Sequence, residues 1–227
     1  MKLEKISNDI YLYPFEEARD RPALSLICGK RLTLAIDPGH SREHVEEFYD
    51  AVKKAGLPLP DITVLTHWHW DHSFGIHAVH GITAAERRSW KKLDEIKDDE
   101  GFIRELMNTN EYFAREFACQ KVCVELPQLV FDDALDIDLG NLHAHCFHVP
   151  SAHTDDCTCI LIEEEGIIYL GDCISGVYPD WVIDPVPYRQ LIEVLRSTDF
   201  RLAVGSHWPP FGRDELFAHL EEELQTE

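Results

Sequence analysis

Four potential metal ligands crowd into six residues that directly follow an apolar strand pattern, and no other stretch restricts the fold of this chain as strongly. The strand pattern is Asp61-Ile62-Thr63-Val64-Leu65-Thr66, and the ligand run is His67-Trp68-His69-Trp70-Asp71-His72. Imidazole and carboxylate are the side chains that suit zinc and iron. His67 and His69, two apart, project to one side wherever the backbone is extended. Asp71 and His72 lie beyond the bend and can reach a second position close to the first. A polar loop with chance histidines explains the segment poorly, because burying unpaired imidazoles side by side costs stability.

Three further candidates each stand just past an apolar strand pattern: His153 in Pro150-Ser151-Ala152-His153, Asp172 in Tyr169-Leu170-Gly171-Asp172, and His207 in Val204-Gly205-Ser206-His207. In a layered sheet the carboxyl ends of neighbouring strands line one edge, so ligands from distant sequence converge there. Each residue alone is weak, but together with the first cluster they predict one site.

The rest of the chain reads as an α/β layer. Strand patterns cover Ile10 to Tyr13, Ala23 to Cys28, Arg31 to Asp37, Val122 to Leu126, Leu129 to Phe131, Leu142 to Val149, Cys157 to Glu163, Ile167 to Leu170 and Arg201 to Val204. Helical spacing runs from Ser41, a candidate N-cap, to Ala55 before Gly56, and again over Ser73 to His80, Pro187 to Arg196 and Asp214 to Leu224. Residues 86–117 are charged and helical, with a break around Asp98 to Gly101. They read first as packing helices and second as a lid over a pocket. With no repeat or linker in its 227 residues, the chain is expected to form a single domain, 1–227, with a helical insertion around 86–117.

Charge narrows the partners. With 21 Lys plus Arg against 42 Asp plus Glu, the formal net charge of −21 repels polyphosphates unless a local basic patch or a metal intervenes. The expected partner is therefore a small-molecule substrate, with no nucleic acid and no membrane; the oligomeric state is left open, a homodimer included. The odd count of seven cysteines, without a signal-peptide pattern at Lys2 to Lys5, argues against a secreted disulfide framework and for a cytoplasmic protein.

The run from His67 to His72, followed by a separate His, Asp and His, resembles the HxHxDH pattern of the metallo-β-lactamase-fold superfamily, and Asp37-Pro38-Gly39 resembles that family's early Asp-x-Gly turn. The resemblance implies a four-layer αββα sandwich of the α/β (α+β) class. It further implies that His67, His69 and His153 bind one metal and Asp71, His72 and His207 the other, with Asp172 bridging and Asp37 in a supporting role. The cofactor is then two divalent metal ions, zinc first, with iron or manganese as alternatives. The ligand set is more similar to those of glyoxalase II, lactonases, phosphodiesterases and tRNA-processing nucleases than to true β-lactamases, which usually lack an aspartate equivalent to Asp172. The C-terminal helical domain of a glyoxalase II is too short here, and the acidic charge argues against a nuclease.

Two cations roughly 3.5 to 4 Å apart would bridge a hydroxide for attack on an ester, thioester, lactone or similar small substrate, with Asp71 as the catalytic residue that orients it or takes its proton. One alternative is an iron-dependent redox enzyme of the same fold, similar to persulfide dioxygenases; diiron reductases of the fold resemble the chain less, since they place Glu where His69 stands. The other is a non-catalytic metal-binding protein. Trp68 and Trp70 read as packing for the ligand loop, and Trp208, Pro209, Pro210 and Phe211 as an apolar wall. Tyr178 and Trp181 divide evenly between pocket and core, and Cys157 and Cys159 read as core.

Overall fold

The computed structural model describes residues 1–225. Its first sheet holds β1 (Glu4–Ser7), β2 (Ile10–Tyr13), β3 (Leu24–Cys28), β4 (Thr33–Ile36), β5 (Ile62–Val64), β6 (Ile82–Glu86) and β7 (Leu129–Phe131), in that spatial order. The second holds β8 (Ala134–Asp138), β9 (His143–His148), β10 (Thr158–Ile162), β11 (Ile167–Gly171), β12 (Leu202–Gly205) and β13 (Phe211–Gly212), again in sequence order across the sheet. β4 to β7 pair in parallel, as do β11 and β12, and the remaining pairs are antiparallel.

Strand periodicity explains the layering. Along β10, Ile160 and Ile162 face the other sheet and join Ile27, Leu34, Val64 and Tyr169 in the core between the sheets. The alternate residues Cys159 and Leu161 face outward, onto α6 (Pro185–Ser197) and α7 (Arg213–Glu223). A strand covered on both faces is apolar at every position, which is why β10 and β11 are buried throughout. The outer face of the first sheet is covered by α1 (Arg42–Lys54), whose Val45, Phe48 and Val52 pack on Leu24, Leu26 and Ala35. Beside it lie α3 (Arg87–Ile96), α4 (Glu100–Thr109) and α5 (Glu111–Glu116), following the single-turn α2 (Trp70–Ser73). Helix, sheet, sheet and helix make the expected αββα sandwich.

Local signals behave as their chemistry dictates. Ser41 Oγ accepts the His44 amide at the start of α1, and Gly56, at φ +71°, follows its end. Asp99 breaks the helical segment where a break is expected, its carboxylate accepting the amides of Gly101 and Phe102 to start α4. Removing that cap with Asp99→Ala should lower the unfolding free energy by about 1 kcal/mol, read from urea denaturation; an unchanged midpoint would deny the cap its role.

Two expectations are corrected. Val122 to Leu126 forms no strand; Val122, Val124 and Leu126 instead pack beside Phe113 and Phe117 without joining a ladder. Ser73 to His80 is not one helix: α2 ends at Ser73, and a separate 3-10 turn covers Ile76–Ala78.

Candidate metal centre

β5 ends at Val64, and the chain is then held by Asp37. Asp37 Oδ1 accepts the Thr66 amide at 2.7 Å, and its Oδ2 accepts the Thr66 hydroxyl and His72 Nδ1, both at 2.8 Å. Thr66 Oγ1 in turn lies 3.1 Å from His67 Nδ1. Its own proton goes to Asp37, so it accepts from His67 and leaves His67 Nε2 with a free lone pair. His69 caps α2, whose one turn swings Asp71 and His72 away from His67 and His69. Ser73 Oγ closes the loop by donating to the carbonyls of Trp68 and His69, while buried Asp156 accepts the Trp68 amide at 2.8 Å.

The other three candidates arrive from the second sheet. His153 is oriented by Nδ1, which donates to the Gly176 carbonyl at 2.9 Å and so points Nε2 inward. Asp172 follows β11 through Gly171, whose φ of +54° suits glycine and where a Cβ would lie 2.7 Å from the Thr66 side chain. A larger residue there would push the two loops apart. His207 follows β12, in a turn anchored where the Ser206 carbonyl accepts the Ala23 amide at 2.7 Å.

All seven sequence-predicted ligands are brought together, in two groups. His67, His69 and His153 form one; Asp71, His72, Asp172 and His207 form the other, and within each group the ligand atoms lie within 4.8 Å of one another. His69 Nδ1 is 3.1 Å from His67 Nε2 and 2.9 Å from His153 Nε2. Asp71 Oδ2 is 3.1 Å from both His72 Nε2 and His207 Nε2. Asp172 Oδ2 lies 3.5 Å from His72 Nε2, 3.6 Å from His207 Nε2 and 3.8 Å from His153 Nε2, so it reaches both groups.

The electrostatics fit a cation. Burial pushes His69 down to about 3 and holds His67 well below its ordinary value, with the neighbouring imidazoles adding to the effect, so both present neutral lone pairs. Burial opposes charge on His72 as well, but the Asp71, Asp172 and Asp37 carboxylates outweigh it and raise its pKa well above the ordinary value. Burial would neutralise Asp71, yet His72 and His207 hold it well below the carboxylate range. His72 Nε2 and Asp172 Oδ1 are buried without a hydrogen bond of acceptable geometry. Unsatisfied buried donors and acceptors are costly, and two on neighbouring members of one ligand cluster suit a bound divalent ion.

Acid should therefore destabilise the metal-free protein. His69 titrates near 3 in the fold against 6.5 ordinarily, so its contribution to stability is complete above about pH 6.5 and is lost as pH falls toward 3. His67 and the buried His40 and His44 are depressed in the same direction. His72 and His207 are raised, so their contribution persists below pH 6.5, and Asp20, raised to about 6, gains stability as pH falls through that value and offsets part of the loss without matching the four depressed histidines. The urea midpoint of chelator-treated protein should fall between about pH 7 and about pH 4.5; a flat midpoint would contradict charge-neutral burial of these rings.

The centre floors a cavity of about 870 Å³. Phe102, Leu106 and Tyr112 of α4 and α5 line it, while Leu93, Ile96, Phe113 and Phe117 pack beneath, so the 86–117 segment both packs and walls the pocket. Tyr178 and Trp181 are 53% and 55% exposed and line the cavity, so they belong to the pocket and not to the core. Trp70 packs against Phe113 and His40 as expected, but both it and Trp68 also line the cavity. Of the expected apolar wall, Trp208 lines the cavity, while Phe211 pairs with Ala203 in the sheet. Cys157 and Cys159 sit in the core against α6 and α7.

Asp20 carried no signal in the sequence. It stands at φ +52° with Oδ1 3.8 Å from His207 Nδ1, and burial, aided by the Asp71 charge, pushes it up to about 6. Neighbouring Arg21 is fully buried and forks onto Glu116 of α5, with Nη2 2.6 Å from Oε1, which ties this rim of the cavity to the helical segment.

A family model for the metallo-beta-lactamase superfamily matches residues 23–214. The chain belongs to the metallo-β-lactamase superfamily. It is 26% identical to the human acyl-coenzyme A thioesterase MBLAC2 over 229 residues, covering 89% of this chain and 78% of the relative. The chicken (Gallus gallus) acyl-coenzyme A thioesterase MBLAC2 is 25% identical over 231 residues, with the same coverage of 89% and 78%. Among solved structures, a metallo-beta-lactamase from Pontibacter korlensis superposes with a TM-score of 0.68 at 17% identity, covering 98% of both chains. An archaeal superfamily protein from Sulfolobus tokodaii gives 0.65 at 17% identity, covering 97% of this chain and 88% of that one. These structures share the fold; family and thioesterase relatives together support a hydrolase. No described helix is long and apolar enough to cross a membrane.

Proposed function

We propose that the chain is a dinuclear metal-dependent hydrolase of acyl thioesters, with zinc as its metal. The observation that carries this reading is the convergence of two ligand groups on the floor of one apolar-walled cavity, with Asp172 Oδ2 within reach of both. His67, His69 and His153 would hold one ion, and Asp71, His72 and His207 the other, with Asp172 shared. Mixed imidazole and carboxylate donors suit zinc, and bound zinc supplies water of lowered pKa together with polarisation of the thioester carbonyl.

The chain's own residues do the rest. Asp71 lines the cavity as an ionised carboxylate, which suits it to accept a hydrogen bond from the attacking water and orient it. A C–O bond forms to the acyl carbon as the C–S bond breaks, and the leaving sulfur takes up the proton that the water gave up. Asp37 and Thr66 keep His67 and His72 aimed at the ions, and Gly176 does the same for His153. Trp181 lies nearly parallel to the His153 ring, 6.5 Å away at 6°. With Phe102, Leu106 and Tyr112 it offers apolar cover for an acyl chain and keeps bulk water from the reacting group.

A panel of acyl thioesters, esters, lactones and phosphodiesters tests the reading. Thioester turnover that a chelator abolishes and zinc restores is the expected result. Turnover of phosphodiesters or lactones with inert thioesters would overturn the substrate assignment.

A further inference from the structure

A second cavity, of about 600 Å³, opens beside the first and shares Trp68, His69 and His153 with it. Its far wall is Arg88, Lys91 and Lys92 of α3. Residues three and four apart share one helix face, so these cations form one patch, in a chain whose formal net charge is −21. Two carboxylates, Glu95 and Asp155, also line the cavity. Arg88 Nη1 is held by Glu86 at 2.8 Å, and the Glu86 carboxylate also accepts the Arg88 amide at the start of α3, so Arg88 is partly committed to the helix. Lys92 Nζ sits 5.3 Å over the Trp68 ring, the wall common to both cavities, and its partner Glu95 is exposed at 3.5 Å. Such a surface pair contributes little and yields readily to a stronger anion. Lys91 makes no salt bridge within 4 Å among the described residues; its charge acts at longer range on Asp132, which is already paired with Arg87.

The two cavities thus meet at His69 and His153 with opposite characters, one walled by aromatic and aliphatic side chains, the other by cations. An acyl thioester of a phosphate-bearing carrier has the same division: an apolar acyl group, a scissile C–S bond, and an anionic leaving group. Resting on the thioesterase reading above, we propose that the acyl chain occupies the first cavity and that the second binds the phosphates of the leaving thiol, through Lys91 and Lys92 with Arg88 behind them. A concave cationic wall focuses the local potential, which lets an acidic protein attract a polyanion at this one mouth.

The test is the double variant Lys91→Glu/Lys92→Glu, both at exposed or half-buried positions, assayed with octanoyl-coenzyme A and with the octanoyl thioester of N-acetylcysteamine, which has the same acyl group and no phosphate. Losing two charge contacts and placing two repulsive ones should raise KM for octanoyl-coenzyme A by about tenfold or more. The neutral thioester should change less than about twofold in kcat/KM, and added salt should raise the wild-type KM more steeply than that of the variant. A KM for octanoyl-coenzyme A within about twofold of wild type would overturn the assignment. Should wild type hydrolyse neither thioester, the thioesterase reading fails, and the cavity is then judged by calorimetric binding of ADP, which carries a pyrophosphate and no thiol. ADP binding weakened about tenfold in the variant would keep it as a phosphate site, whereas equal binding, or none in either protein, would overturn that too.

Discussion

Asp172→Asn should cut kcat/KM for the best thioester by about a thousandfold or more, the several kcal/mol that metal-assisted activation supplies. The substitution keeps the shape of the side chain and removes the charge that reaches His72, His153 and His207 together. Asp172 lies beyond the apolar core of β11, in a turn fixed by the backbone, with the Ser175 amide donating to its carbonyl at 2.8 Å. The fold should therefore survive, with thermal midpoints of the chelator-treated variant and chelator-treated wild type close to each other, while metal content per chain drops. Retention of more than about a tenth of the activity would remove Asp172 from the reacting centre.

Asp37→Ala should be the more damaging change for stability. It strips the acceptor from the Thr66 amide, the Thr66 hydroxyl and His72 Nδ1 at a site that is 2% exposed. Each unsatisfied buried group costs about 1–3 kcal/mol, and loss of such an outer support typically weakens metal affinity by about 10- to 100-fold. Alanine also fits poorly at φ +58°, which asparagine tolerates better. Asp37→Asn should accordingly recover much of the stability, since its amide oxygen still accepts the Thr66 amide, but less of the zinc affinity, since it no longer faces His72 with a charge. Chelator competition and urea denaturation on both variants separate the two effects. Equal zinc affinity in Asp37→Ala and wild type would reduce Asp37 to a packing residue.

The ligands were legible because the chemistry of a metal site demands scarce residue types, and a sheet delivers them at one place, just past strand ends. Asp37 was legible only through its resemblance to the family's Asp-x-Gly turn; its work, holding the loop after β5 from the turn after β4, is a finding of the structure. What escaped reading was long-range. Val122, Val124 and Leu126 alternate as a strand does, but alternation reports only that one face is covered, and here the cover is an aromatic cluster and not a neighbouring strand. β6 was missed because Ala84 and Ala85, small and without branching, give no strand signal although they are fully buried. β1 and β8, at the sheet edges, are short and carry charges, Glu4 and Lys5 on one and Asp136 and Asp138 on the other, as edges that avoid pairing with other chains do. Asp20 and the cations of α3 reach the site only through tertiary packing, so no local pattern marks them.

Plasma emission spectroscopy on protein purified without added metal or chelator, with acyl-thioester hydrolysis assayed on the same sample, tests the central claim most directly. About two zinc ions per chain, falling to fewer in Asp172→Asn and tracking the turnover, is the expected result. Predominantly iron, with oxygen consumption and no hydrolysis of any thioester, would contradict it.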